Sequence, residues 1–256
     1  MKSKSLKKVS LSDANLLLTI TIVVFFLMYI GAMIFEGGGF LKPQTFFNIL
    51  NANGALIITA CGLSLVMITG SIDISVGGVV ALVSMCCAVY LDFKGGNVFV
   101  SLLIALAIGL GFGLVQGFLV AYLDIQPFIV TLAGMFFGRG MTAIISTDMI
   151  SIKNKTFLAW ANYKIYLPIG SYSRRGKFIP AYIYPTVIIA ILIFIVIAII
   201  MKYTKFGREV YAIGGNAQSA MMMGLNVKKT KFKAYVLDGL LAGCLLYTSD
   251  AADDLI

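Results

Sequence analysis

Residues 16–35 read LLLTITIVVFFLMYIGAMIF, twenty positions without a charge. A helix needs about 20 consecutive apolar residues to cross the hydrocarbon core of a bilayer. A second run, TVIIAILIFIVIAII, fills residues 186–200. The rest of the chain has the same character. Of its 256 residues 60% are hydrophobic and 12% charged, and its mean hydropathy is +0.97. A soluble domain averages about 45–50% apolar and about 25% charged residues. So many apolar side chains cannot be hidden in one water-soluble core, so lipid must solvate most of the chain.

The basic start, MKSKSLKK, could open a signal peptide. The apolar run behind it is too long for that and no A-x-A site follows, so residues 16–35 read as a retained first span. Further spans are expected at 46–69, 75–91, 98–122, 126–145 and 181–201, and a seventh begins at Phe232. The expected fold class is therefore all-α, a polytopic transmembrane helix bundle of six complete spans and part of a seventh.

The formal net charge is +9. The basic residues sit in the gaps between apolar runs, as topology determinants do, and no nucleic-acid partner is expected. Lys2, Lys4, Lys7 and Lys8 place residues 1–15 in the cytoplasm. Six spans later residues 202–233 carry Lys202, Lys205, Arg208, Lys228, Lys229, Lys231 and Lys233 against Glu209 alone. The two most basic ends thus fall on one side. The stretch 146–180 then lies outside, although its six Lys and Arg residues run against that rule.

Histidine is absent, which excludes imidazole zinc sites and histidine triads. Gly176-Lys177 is followed by Phe178, and no other stretch approaches G-x-x-x-x-G-K-[ST], so the chain carries no phosphate-binding loop for ATP. Cys61, Cys86, Cys87 and Cys244 form no CxxC pair and read as small apolar residues. Gly109, Gly113 and Gly117 recur every four residues in the fourth span, and Gly134 and Gly138 do so in the fifth. Small residues at that spacing let helix backbones approach closely.

Between the last two spans lies FGREVYAIGGNAQSAMMMGLNVKK, residues 206–229. Gly214-Gly215-Asn216 reads as a turn with positive φ. Asn216 would cap a short helix over 217–223, and Gly224 would stop it. Such a helix could lie on lipid headgroups or dock a partner.

Residues 207–243, GREVYAIGGNAQSAMMMGLNVKKTKFKAYVLDGLLAG, resemble the cytoplasmic loop of sugar-type ABC importer permeases of the ribose, xylose and galactose group. ITGSIDISVGGVVAL at 68–82 and IQPFIVTLAGMFFGRG at 125–140 resemble two further signatures of that family. The resemblance covers residues 16–243 and is nearest to its galactofuranose members.

The resemblance implies a bacterial inner-membrane permease that transports a monosaccharide by alternating access and catalyses no covalent chemistry. It implies a periplasmic sugar-binding protein, a second permease subunit, identical or different, and a cytoplasmic ATPase that binds the ATP and magnesium. Residues 202–231 would be the coupling loop, with Gly214, Gly215, Asn216, Ala220 and Gly224 seated on that ATPase. Asp238 stands where the family has a small polar residue. A carboxylate inside a span costs about 2.5–3.5 kcal/mol on insertion scales, so it must face a cavity, find a partner or be a sequence error.

ITGSIDISVGG, residues 68–78, reads as a break between two spans. Gly70 would end one helix, and Asp73 or Ser75 would cap the next. Non-helical backbone at membrane depth is tolerated where it is covered by protein or lines a cavity, and transporters place substrate sites at such breaks. A sugar needs short polar groups and an aromatic face. The candidates along its path are Asn53, Asp73, Ser75, Gln126, Phe128 and Thr131. The competing roles are a helix cap for Asp73, interhelical bonds for Asn51, Asn53 and Gln126, and core packing for Phe128. Arg139 would snorkel to the outer interface. An ion-coupled secondary transporter is the alternative from another class; it would need ionisable residues in the spans as ion sites, and only Asp73, Asp238 and Arg139 qualify. An ABC permease for a nucleoside or branched-chain amino acid is a further one. CLLYTSDAADDLI, residues 244–256, resembles the translation of a sequencing adapter. Those residues are expected to be non-native and the permease truncated.

Overall fold

The computed structural model describes residues 13–36, 42–93, 95–146, 150, 152–172 and 178–244. The chain forms two compact units, Met1–Phe47 with Leu167–Ala181 and Asn48–Tyr166 with Tyr182–Ile256. In the first, helix α1 (Asp13–Glu36) has no buried residue between Leu16 and Phe35. A helix apolar on every side and buried nowhere is suited to lipid.

Helices α2 (Pro43–Ile68), α3 (Val76–Phe93), α4 (Val98–Ala121) and α5 (Pro127–Ile145) follow. A short α6 (Lys155–Ala161) leads into a two-stranded hairpin of β1 (Ile165–Tyr172) and β2 (Phe178–Ile183). Then come α7 (Pro185–Tyr203), α8 (Lys205–Gly215), α9 (Ala217–Met222) and α10 (Val227–Gly243). Helices α1, α2, α4, α5 and α7 are long and apolar enough to span a membrane, and α3 is a shorter apolar helix. The fold is the expected multi-span helical bundle, with the hairpin added in the stretch read only as hydrophilic. Of the tail assigned to residues 244–256, all but Cys244 lies outside the described residues.

The glycine spacing in α4 serves close packing. A Cβ on Gly113 would stand 2.6 Å from the carbonyl oxygen of Tyr235 in α10. Gly109 meets Gly239 and Gly243 of the same helix. Gly138 of α5 approaches Gly78 of α3 in the same way, where a Cβ would lie 2.7 Å from the Gly78 carbonyl oxygen. Without a hydrophobic drive between helices in lipid, such backbone contact is a main source of association. Ile58, Val83, Cys87, Ala105 and Ala190 join α2, α3, α4 and α7 in one buried cluster. Leu65, Val66, Val120, Val210 and Tyr235 join α2, α4, α8 and α10 in another.

Polar ties mark the two ends of α2. Near its start Asn51 accepts from the Tyr184 N–H (2.9 Å) and donates to the Tyr182 carbonyl (3.4 Å), fixing the entry of α7. At its finish the Ile68 carbonyl lies against Gly214, at the end of α8. The start of α7 and the α8–α9 segment therefore lie at opposite ends of α2.

Candidate functional site

Helix α2 stops because Gly70 takes φ +76. The amides of Gly70 and Ser71 turn back onto the carbonyls of Met67 (3.0 Å) and Val66 (3.3 Å), a glycine C-cap of the kind that satisfies the last carbonyls of a helix. The backbone stays non-helical to Ser75. Asp73 Oδ1 accepts from the Ser75 N–H at 2.7 Å, and α3 begins at the next residue.

Two helices bring polar groups to this break. Ser75 Oγ donates to Gln116 Oε1 of α4 at 3.1 Å. Tyr235 of α10 donates its hydroxyl to the Ile72 carbonyl at 3.2 Å. Asp238, one turn further on, is 1% exposed, packs against Gly62 of α2 and faces the Asp73 carboxyl. Among the described residues of this cluster Ser71 Oγ, Gln116 Nε2 and Asp238 Oδ2 find no hydrogen-bond partner. A buried polar group without a partner costs about 1–3 kcal/mol. The cluster is thus under-satisfied, with a serine hydroxyl, an amide donor and a carboxyl oxygen free for the hydroxyls of a small ligand or for water.

Of the six residues expected along a substrate path, the structure brings Asp73 and Ser75 together here. Asn53 donates to the Ile49 carbonyl of its own helix at 2.7 Å. Thr131, fully buried, donates to the Pro127 carbonyl at 2.9 Å. Gln126 and Phe128 are exposed at the start of α5. Gln116, Tyr235 and Asp238 complete the cluster. Gln116 was visible in the sequence as an amide inside an otherwise apolar span, but Tyr235 is joined to the break only through the fold. An apolar cavity of about 610 Å³ lies beside it, lined by Leu82, Ile108, Phe112, Gln116, Val130 and Phe137 among others, and by none of the six path residues.

The second feature is the α8–α9 elbow. Thr204 caps α8, accepting from the Gly207 N–H at 3.2 Å. Gly207, Val210 and Ile213 recur every three residues and form its buried face. Glu209 Oε2 accepts from the hydroxyl of Thr230 in α10 at 2.8 Å. The positive-φ turn expected at Gly214-Gly215 is not formed. The helix runs through both, and Asn216 is extended at φ −162. Gly214 serves close approach instead, since any Cβ there would collide with the Ile68 carbonyl. The positive φ comes at Gly224, at +81. Asn216 Oδ1 caps α9 through the Ser219 N–H at 2.8 Å. Ala220 is buried and pins α9 down, whereas Met221, Met222 and Met223 stand out, Met222 at 88% exposure.

A multi-span bundle broken at a polar hinge, with a helical elbow fastened beside that hinge, is the architecture of a transport permease. The sequence profile described as branched-chain amino acid transport system / permease component matches residues 45–249. The chain belongs to that family. It is 35% identical over 230 residues to the inner membrane ABC transporter permease protein YjfF of Escherichia coli (strain K12), covering 89% of this chain and 66% of that protein. It is 33% identical to the fructose import permease protein FruG of Bifidobacterium longum (strain NCC 2705), covering 97% and 72%. It is 36% identical to the galactofuranose transporter permease protein YtfT of Escherichia coli (strain K12), covering 76% and 53%. The matches therefore leave between a quarter and a half of these relatives' own lengths unspanned. No solved structure matches the chain.

Proposed function

We propose that this chain is the membrane permease subunit of an ATP-driven importer for a monosaccharide, with galactofuranose and fructose the first sugars to try. The observation that carries the reading is the attachment of the elbow to the break. Gly214 touches the last residue of α2, and Glu209 holds the base of α10, whose Tyr235 reaches Ile72. A push on α9 from the cytoplasmic side is thereby delivered to the polar break at 69–75. The names of the relatives support a sugar substrate, and the uncharged ligand they imply suits a cluster with a hydroxyl, an amide donor and a carboxyl oxygen unpartnered.

In this reading the N-terminus and the elbow are cytoplasmic and the membrane is the bacterial inner one. A separate ATPase binds ATP and magnesium and seats on Gly215, Asn216 and the methionines of α9. A periplasmic binding protein delivers the sugar, and a second permease subunit, identical or different, completes the pathway. The facing acids Asp73 and Asp238 favour one other reading, an ion-coupled transporter in which they bind the ion.

Uptake of labelled sugars by cells expressing the permease with its neighbouring ATPase and binding protein separates the two. Loss of uptake on ATP depletion, with uptake retained when the ion gradient is collapsed, supports the importer. The reverse pattern supports the ion-coupled reading.

A further inference from the structure

Residues 152–166 read IKNKTFLAWANYKIY, with three lysines and no acid. The segment is tied at both ends to the level at which the spans finish. Near the end of α3, Asp92 accepts from the N–H of Lys153 (2.8 and 2.9 Å to its two oxygens) and from that of Asn154 (3.1 Å). Asn154 Nδ2 donates to the Gly96 carbonyl (3.4 Å) in the turn into α4. Its Oδ1 caps α6 by accepting from Thr156 and Phe157, and Phe157 turns inward and is buried. Past α6, Lys164 Nζ stands 4.4 Å from the ring centroid of Tyr182. The carbonyl of Tyr182 is held by Asn51, inside α2. A seven-residue helix is only about 10 Å long, so α6 cannot rise away from the mouths of the spans.

On either side of Phe157 α6 carries Leu158 and Trp160, the turn after it carries Tyr163 and the start of β1 carries Tyr166, all exposed, Trp160 at 48%. Lys153, Lys155 and Lys164 are exposed among them. Water is a poor solvent for those rings. The boundary between hydrocarbon and headgroups suits them, since Trp and Tyr carry a polar tip on an apolar body. Lysine stems cover apolar surface there while the ammonium reaches outward. The positive charge also gains a role. These lysines lie at the end of the bundle opposite the basic elbow, where few are expected for topology, but anionic lipid phosphates attract a lysine wherever they lie within a Debye length of it.

We propose that α6 and the start of β1 lie in the headgroup layer, with Trp160, Tyr163 and Tyr166 at the hydrocarbon boundary and Lys153, Lys155 and Lys164 on the phosphates of acidic lipids. This requires only that the chain spans a membrane, and it stands whether or not the sugar reading does.

Trp160 is the only tryptophan of the sequence, so it reports its own surroundings. The intact permease is placed in phosphatidylcholine vesicles with and without phosphatidylglycerol, and W160F supplies the blank. The expected difference signal is blue-shifted, shielded from acrylamide, and quenched more by lipids brominated near the top of the acyl chain than by those brominated near its end. Phosphatidylglycerol should deepen the shielding, and K153E/K155E/K164E should remove that increment. A red emission quenched by acrylamide and untouched by brominated lipid overturns the proposal. So does shielding that appears only when a soluble binding protein is added, which would make the face a protein dock.

Discussion

The hydroxyl of Tyr235 donates to the main-chain carbonyl of Ile72 at 3.2 Å, across 163 residues of sequence. That bond fastens α10 to the non-helical segment between α2 and α3. Tyr235 itself is 1% exposed and packs among Leu65, Val66 and Val210. The break is therefore held by the helix whose base Glu209 clasps through Thr230.

Tyr235→Phe keeps the ring and removes the donor, leaving the Ile72 carbonyl with one partner fewer. Such a loss costs about 1 kcal/mol, which in a chain of this size lowers the melting temperature by about 2–4 °C. Thermal denaturation of the detergent-solubilised permease checks this. An unchanged melting point would mean that the break does not depend on α10.

The α4–α10 seam gives a paired test. Gly113→Ala puts a methyl group 2.6 Å from the Tyr235 carbonyl oxygen, where two backbones would have to part. The expected loss is about 1–3 kcal/mol, seen as a lower yield of monodisperse protein and a lower melting point. Gly111→Ala, two residues away, has nothing within 4 Å. It should be neutral or stabilise by up to about 1 kcal/mol through helix propensity. Equal effects at both positions would argue against the seam.

Asn51 both accepts from Tyr184 and donates to Tyr182. Asn51→Ala abandons both bonds and should cost about 1–3 kcal/mol. Asn51→Asp keeps the acceptor but sets a carboxylate oxygen against the Tyr182 carbonyl in a buried site, so its melting point should fall at least as far as that of the alanine variant. An Asp variant as stable as wild type would contradict this arrangement.

Asp238 sits in α10 facing Asp73, with its Oδ2 lacking a donor. An acid at the centre of a membrane helix costs about 2.5–3.5 kcal/mol on insertion scales. Asp238→Asn keeps the shape and supplies N–H donors toward Asp73. The melting point is expected to rise, and membrane insertion of α10 in a glycosylation-reporter assay is expected to improve. A fall in both would show that the acid is needed where it stands.

Much of the bundle was legible because lipid enforces a simple pattern. The apolar runs ending near Ile68, Ala121, Ile145 and Tyr203 fall within two residues of the expected ends. The local chemistry of α9 was legible too, since Asn216 and Gly224 act through immediate neighbours. The use of Gly214 was not. A glycine pair looks the same whether it supplies positive φ or close approach, and only the position of Ile68 decides. The polar cluster was half visible. Asp73 and Ser75 announce the break, but Gln116, Tyr235 and Asp238 come from helices whose register is set by glycine contacts far along the chain. Asn53 and Thr131 looked available as polar residues in apolar spans, yet each hydroxyl or amide already bonds the carbonyl four residues back in its own helix.

The central proposal is that the elbow transmits work from an ATPase, and Gly215 tests it most directly. It is exposed, with nothing within 4 Å of where a side chain would begin, so Gly215→Trp should leave the fold intact. Ala220, being buried, gives no such clean probe. The measurement is co-purification of the ATPase with the permease, alongside sugar uptake in cells and the melting point of the isolated permease. The predicted result is an unchanged melting point with loss of both ATPase binding and uptake. A folded Gly215→Trp permease that still retains its ATPase and takes up sugar at the wild-type rate would contradict it.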